Sequence, residues 1–199
     1  AGYLAKKMGL QINKLIVATN QNDILHRAIS EGSYEVENVY ETLSPSMDIQ
    51  VASNFERLLY DLNEGDDLQT VDSMKNIKEN GKYIISQEKL DKIKMNFLSS
   101  RISEEEVLKT INIVYKKFNV VLDPHSAIGY GAFDKINLDG NNIVLATAHP
   151  CKFPDAIKKA INLKEDLPKE LMFVMEEKEN YDILDNEVEK IKQHIKKRI

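Results

Sequence analysis

Only two stretches of this chain read as clear strands, residues 14–19 and 142–147, in a sequence otherwise patterned for helices. The run Lys14-Leu15-Ile16-Val17-Ala18-Thr19 is short, apolar and rich in β-branched residues, the mark of a strand buried on both faces. A helical pattern over 1–9 precedes it. Another over 22–30 follows, with Ile24, Leu25, Ala28 and Ile29 on one face and Gly32 near its end. Helix, strand and helix in that order predict an α/β arrangement of the parallel-sheet kind. Two to four strands are fewer than the open sheet of an α/β domain of this length, and a lone pair leaves its edges unpaired. The pattern predicts a helix-rich fragment with an incomplete sheet. The first ten residues carry no initiator Met and no N-cap, and read as a helix already under way, so the chain is expected to be a piece of something longer.

The remaining pattern is mostly helical. Residues 33–45 read as loop, a helix falls within 47–62 with Ile49, Leu58, Leu59 and Leu62 among its apolar positions, and 63–67 read as a turn. Helices are expected over 68–79 and 87–98, with a short strand at 83–85. Ser103 and Glu106 have capping-box spacing, so a helix starts there and runs to about Phe118, burying Val107, Ile111, Val114 and Tyr115. Asp123 and Pro124 suit an N-cap and a first turn. Pro154 opens a helix to about Ile161, and residues 185–199 form a helix ending basic, which complements its dipole.

The 199 residues are 42% hydrophobic, enough for a packed core, and the net charge of -5 gives no general attraction to nucleic acid or anionic membrane. One cysteine, Cys151, excludes an internal disulfide and suits a reducing cytoplasm. No apolar run approaches the ~20 residues that cross a bilayer. There are no repeats and no low-complexity linker.

Three stretches have chemistry to offer. At 142–155 a strand-like run ends at Thr147 and turns through His149-Pro150. Ligands of open α/β sheets sit beyond the carboxyl ends of strands. Thr147 is therefore either a cap in a tight turn or a hydroxyl that bonds a ring nitrogen without bringing charge. At 123–131, Gly129 and Gly131 allow close backbone approach, for packing or for a ligand, and make no dinucleotide fingerprint. At 44–57, Ser53, Asn54 and Arg57 gather at one end of a helix. They form a solvated face or hold an anionic substrate, for which Arg is suited by its bidentate geometry. His125, His149 and Cys151 match no zinc spacing and suggest no nucleophile pair.

Five segments in order, 1–10 (Ala-Gly-Tyr-Leu-Ala-Lys-Lys-Met-Gly-Leu), 14–20 (Lys-Leu-Ile-Val-Ala-Thr-Asn), 44–59 (Ser-Pro-Ser-Met-Asp-Ile-Gln-Val-Ala-Ser-Asn-Phe-Glu-Arg-Leu-Leu), 122–129 (Leu-Asp-Pro-His-Ser-Ala-Ile-Gly) and 146–155 (Ala-Thr-Ala-His-Pro-Cys-Lys-Phe-Pro-Asp), together resemble the C-terminal portion of the threonine synthase family. The resemblance implies a two-domain, type II (tryptophan synthase β-like) pyridoxal 5'-phosphate (PLP) fold. It implies conversion of O-phospho-L-homoserine and water into L-threonine and phosphate, with the cofactor as electron sink. On it, residues 1–45 are the remainder of an α/β domain following the phosphate loop. Residues 46–199 are the C-terminal part of the large cofactor-binding domain plus C-terminal helices.

Residue by residue, the resemblance makes Thr147 the hydroxyl partner of the pyridine nitrogen, with His149 shaping the turn beside the cofactor. It sets Ser53, Asn54 and Arg57 on the substrate side. Ser126, Ile128, Ala146 and Cys151 stand where Thr, Val, Ser and Ala are usual in the family, and none of these removes a charge or hydroxyl the chemistry needs. In the family the Schiff-base lysine and the Gly-Asn-Phe-Gly phosphate loop lie ahead of residue 1, so the chain alone is expected to be inactive. Two other readings fit the same sequence: a catalytically silent threonine-synthase-like protein, and a non-enzymatic module that binds partners.

Overall fold

The β-branched run near residue 15 forms a strand, and its alternation decides the layering around it. A computed structural model describes residues 1–199, which divide into two units, Ala1–Glu165 and Asp166–Ile199. In the first unit, helix α1 (Gly2–Lys7), strand β1 (Leu15–Thr19), helix α2 (Ile24–Ser30) and strand β2 (Ser33–Glu35) come first. A 3-10 turn at Pro45–Met47 leads to α3 (Phe55–Leu62), α4 (Asp67–Asn80), β3 (Lys82–Ile84), α5 (Gln87–Asn96) and β4 (Phe97–Arg101). Helices α6 (Glu104–Phe118) and α7 (Pro124–Ile136), a 3-10 turn at Pro150–Lys152 and α8 (Pro154–Ile161) complete it. The second unit holds a 3-10 stretch, Lys169–Met175, and helix α9 (Val188–Lys196).

β1 pairs in parallel with β4, Leu15 opposite Phe97 and Thr19 opposite Arg101. Successive side chains of a strand point to opposite faces. Val17 accordingly packs into one core with Ile24, Ala28, Tyr34, Phe55 and Leu59. Ile16 and Ala18 pack into a second core with Ile102, Val107, Ile111, Ile128 and Ile157. Helices on both faces explain why this strand carries no polar alternation. A separate pair, β2 with β3, is antiparallel, with Tyr34 opposite Tyr83.

Several elements differ from the sequence pattern. Residues 142–147 are no strand: Ile143 and Leu145 are 87% and 73% exposed. A strand needs a ladder partner. For residues 143–147 the one hydrogen bond to the rest of the fold is Thr147 N–H to the Ser126 hydroxyl, at 3.0 Å. The helix expected within 47–62 is α3, but Ile49, expected among its apolar positions, lies ahead of it and is exposed. The Asp48 carboxylate instead takes the Thr42 N–H (2.9 Å) and the Asn20 amide (2.7 Å), which holds this stretch as a loop. The helix expected over 87–98 stops at Asn96, because Phe97 turns into the ladder with β1. Strand β2 lies within the expected loop 33–45, and the tail helix is limited to Val188–Lys196.

Candidate functional site

Helix α7 begins as its sequence dictates. Asp123 is the N-cap, in extended backbone geometry, with Pro124 in the first turn, where its missing N–H costs nothing. The Asp123 carboxylate accepts the backbone N–H of His125 at 2.9 Å and that of Ser126 at 3.4 Å. The same two residues also donate from their side chains: His125 Nδ1 at 2.9 Å, and the Ser126 hydroxyl in a close bond. Asp123 is 1% exposed, so all four donors replace water around a buried carboxylate. His125 Nε2 accepts the backbone N–H of Ser46, 3.3 Å away. An acceptor at Nε2 places the ring proton on Nδ1, which points it at Asp123. Phe153 packs on the imidazole at 4.8 Å between ring centroids.

The Ser126 hydroxyl, donating to Asp123, has a lone pair left for the N–H of Thr147. Thr147 itself is exposed, and its own hydroxyl makes no hydrogen bond within the chain. Two residues on, His149 caps the 3-10 turn, its Nδ1 accepting the Cys151 N–H at 3.2 Å. Thr147 and His149 thus share one turn, fixed from below by α7. The sequence marked Asp123 as a cap only. The pairing of His125 with Ser46, 79 residues away, had no local signal.

Ser53, Asn54 and Arg57 lie at the entry of α3, all exposed and without side-chain hydrogen bonds. Their footing is firm. The N–H of Ala52 donates to the buried Tyr34 hydroxyl at 2.8 Å, and the Phe55 ring stacks on Tyr34 at 4.7 Å. No hydrogen bond joins this group to the Thr147 turn. The structure also shows polar groups beyond the carboxyl end of β1 that the sequence reading left unmarked. Asn20 is buried against Thr42, Ser44 and Asp48. Beside it is an open cleft of about 410 Å³ lined by Gln21, Asp23, Arg27, Glu37, Tyr40 and Arg101. Asp23 bridges Arg27 at 2.9 Å and Arg101 at 3.4 Å, so the charges in this cleft largely balance. No three His, Cys, Asp or Glu side chains converge as metal ligands would, and no helix is long and apolar enough to cross a membrane.

Residues 126–195, from Ser126 of this site onward, match the model of the threonine synthase C-terminal region. The threonine synthase of Pseudomonas aeruginosa is 41% identical over 194 residues, covering 96% of this chain and 41% of that protein. The crystal structure of PLP-bound threonine synthase from Brucella melitensis superposes with a TM-score of 0.87 at 42% identity, over 98% of this chain and 42% of that one. The chain belongs to the threonine synthase family. The yeast threonine synthase structure agrees, with a TM-score of 0.82 at 38% identity over 98% of this chain and 44% of that one. The mixed α/β architecture with a small, incomplete sheet is therefore the architecture of one part of a threonine synthase. The chain spans 41% of the length of the Pseudomonas relative.

Proposed function

We propose that this chain is part of a PLP-dependent threonine synthase that converts O-phospho-L-homoserine and water into L-threonine and phosphate. The observation that carries the reading is the family likeness along nearly the whole chain, including the turn that presents Thr147. The donor set at that turn suits the cofactor. Thr147 offers an exposed hydroxyl with no partner of its own, on a backbone pinned by Ser126. The nearest carboxylate in that network, Asp123, is buried behind Ser126 and already holds four hydrogen bonds. A neutral hydroxyl can bond a pyridine nitrogen without favouring its protonation. PLP, when bound, supplies the electron sink for proton removal beside the amino group and for loss of phosphate.

The chain's own residues then divide the work. Thr147 orients the ring edge, and His149 shapes the turn that carries it. Arg57, with no ion pair in this chain, is free to take the substrate phosphate in bidentate fashion, and Ser53 and Asn54 add neutral donors beside it. Residues 1–45 and 46–165 share one sheet, β1 with β4, and one core, Tyr34 with Phe55 and Leu59, so in this reading they serve the site as a single unit. A cytoplasmic location goes with this reading. The test is phosphate release from O-phospho-L-homoserine by the full-length protein that contains this chain, with and without PLP. The reading expects cofactor-dependent release from the full-length protein and none from residues 1–199 alone. No release from a folded, full-length protein would establish the catalytically silent alternative.

A further inference from the structure

We infer that Asp123 is a positioning residue that ties two ligand-side segments together: it fixes the Thr147 turn through Ser126 and the loop at Ser46 through His125. The inference rests on reading Thr147 as the cofactor contact. A carboxylate that serves only as a helix cap needs the backbone N–H groups of the first turn and no more. Asp123 has both of these, from His125 and Ser126. It also collects the side chains of the same two residues. Each of them hands its remaining lone pair to a backbone N–H of another segment, Thr147 at 3.0 Å and Ser46 at 3.3 Å.

The direction of every bond follows from one ion. A carboxylate only accepts. The Ser126 hydroxyl must therefore donate to it and is left as an acceptor for Thr147. The imidazole must donate through Nδ1 and is left as an acceptor at Nε2 for Ser46. His125 is 6% exposed and Ser126 2%, so water cannot stand in for either partner. Asp123→Asn keeps the shape and breaks the polarity. If its NH2 group faces His125, the ring proton must move to Nε2, where it meets the Ser46 N–H. If the NH2 faces Ser126, the hydroxyl proton loses its acceptor.

The experiment compares Ser126→Ala, Ser126→Thr and Asp123→Asn in the full-length protein, reading amide hydrogen exchange at residues 46 and 147 and PLP affinity by absorbance titration. Ser126→Ala is expected to speed exchange at Thr147 and weaken PLP binding by about five-fold each, the scale of one hydrogen bond. Ser126→Thr, which keeps the hydroxyl, is expected to restore both. Asp123→Asn is expected to speed exchange at both Thr147 and Ser46, whereas a capping role alone would move only the first-turn amides of α7. Should Asp123→Asn fail to fold, the Ser126 pair decides. Wild-type exchange and PLP affinity in Ser126→Ala would overturn the inference. If wild-type protein binds PLP and releases no phosphate, the reaction assignment fails, and the Ser126 pair still reads the relay.

Discussion

Removing one oxygen atom from Tyr34 should cost more than removing most surface side chains. Tyr34 is 1% exposed, and its hydroxyl accepts the N–H of Ala52, itself 2% exposed, at 2.8 Å. Tyr34→Phe keeps the ring and its 4.7 Å stack on Phe55, so packing is nearly unchanged. What it leaves is a buried N–H with no acceptor and no water within reach. Leaving a buried donor unsatisfied costs about 1–3 kcal/mol, and the depth of both partners argues for about 2 kcal/mol. Equilibrium urea unfolding measures this as a midpoint lowered by about 1 M at unchanged slope. Ala52 immediately precedes Ser53 and Asn54, so, if these hold the substrate as proposed, the same variant of the full-length protein should raise the KM for O-phospho-L-homoserine more than it lowers kcat. A midpoint within about 0.2 M of wild type would refute the reasoning, because it would mean the Ala52 N–H finds another partner or water.

Three further outcomes follow from the same physics. Burial and the Asp61 carboxylate push the Tyr3 phenol from 10.0 up to about 12, so its stabilising contribution is complete below pH 10 and is lost as pH rises through 12. Unfolding followed against pH in wild type and Tyr3→Phe should show a fall above pH 10 that the variant lacks. Burial acts against ionisation of Asp61, but its bonds to Lys7 and Tyr3 outweigh burial and hold its pKa below 3.8. The stability this contributes is present above pH 3.8 and is lost as pH falls through the lower folded value, which Asp61→Asn should abolish in an acid titration of unfolding. Gly131→Ala should be tolerated. A Cβ there meets Ile102 and Thr110 at 3.4 Å, ordinary contact, and alanine within a helix is favoured by roughly 1 kcal/mol over glycine. Thermal unfolding should therefore show no loss, in contrast to Gly32→Ala, where φ is +78° and the Ile85 carbonyl oxygen lies 3.3 Å from the added atom.

What the sequence made legible was local. The Ser103–Glu106 capping box, Asp123 with Pro124, and the helix opened by Pro154 all stand where their chemistry puts them, because each signal and its effect lie within one turn. The strands were harder, because pairing decides them. Phe97-Leu98-Ser99-Ser100-Arg101 is half polar and continues a helical pattern, and it is a strand only because Leu15–Thr19 lies beside it. Residues 142–147 have the stronger strand composition but no ladder in this chain. The site divides the same way. Thr147 and His149 were visible as a turn after an apolar run. The buried Asp123 relay that links them to Ser46 spans 79 residues between His125 and its partner, a distance over which composition and periodicity carry no signal.

The most direct test of the central claim is PLP-dependent phosphate release by the full-length protein carrying Thr147→Ala, set beside Thr147→Ser. If the Thr147 hydroxyl holds the cofactor, the serine variant keeps most of the wild-type rate and PLP affinity, while the alanine variant loses about ten-fold in PLP affinity, the scale of a well-formed hydrogen bond. Wild-type release and wild-type PLP affinity in Thr147→Ala would contradict the account.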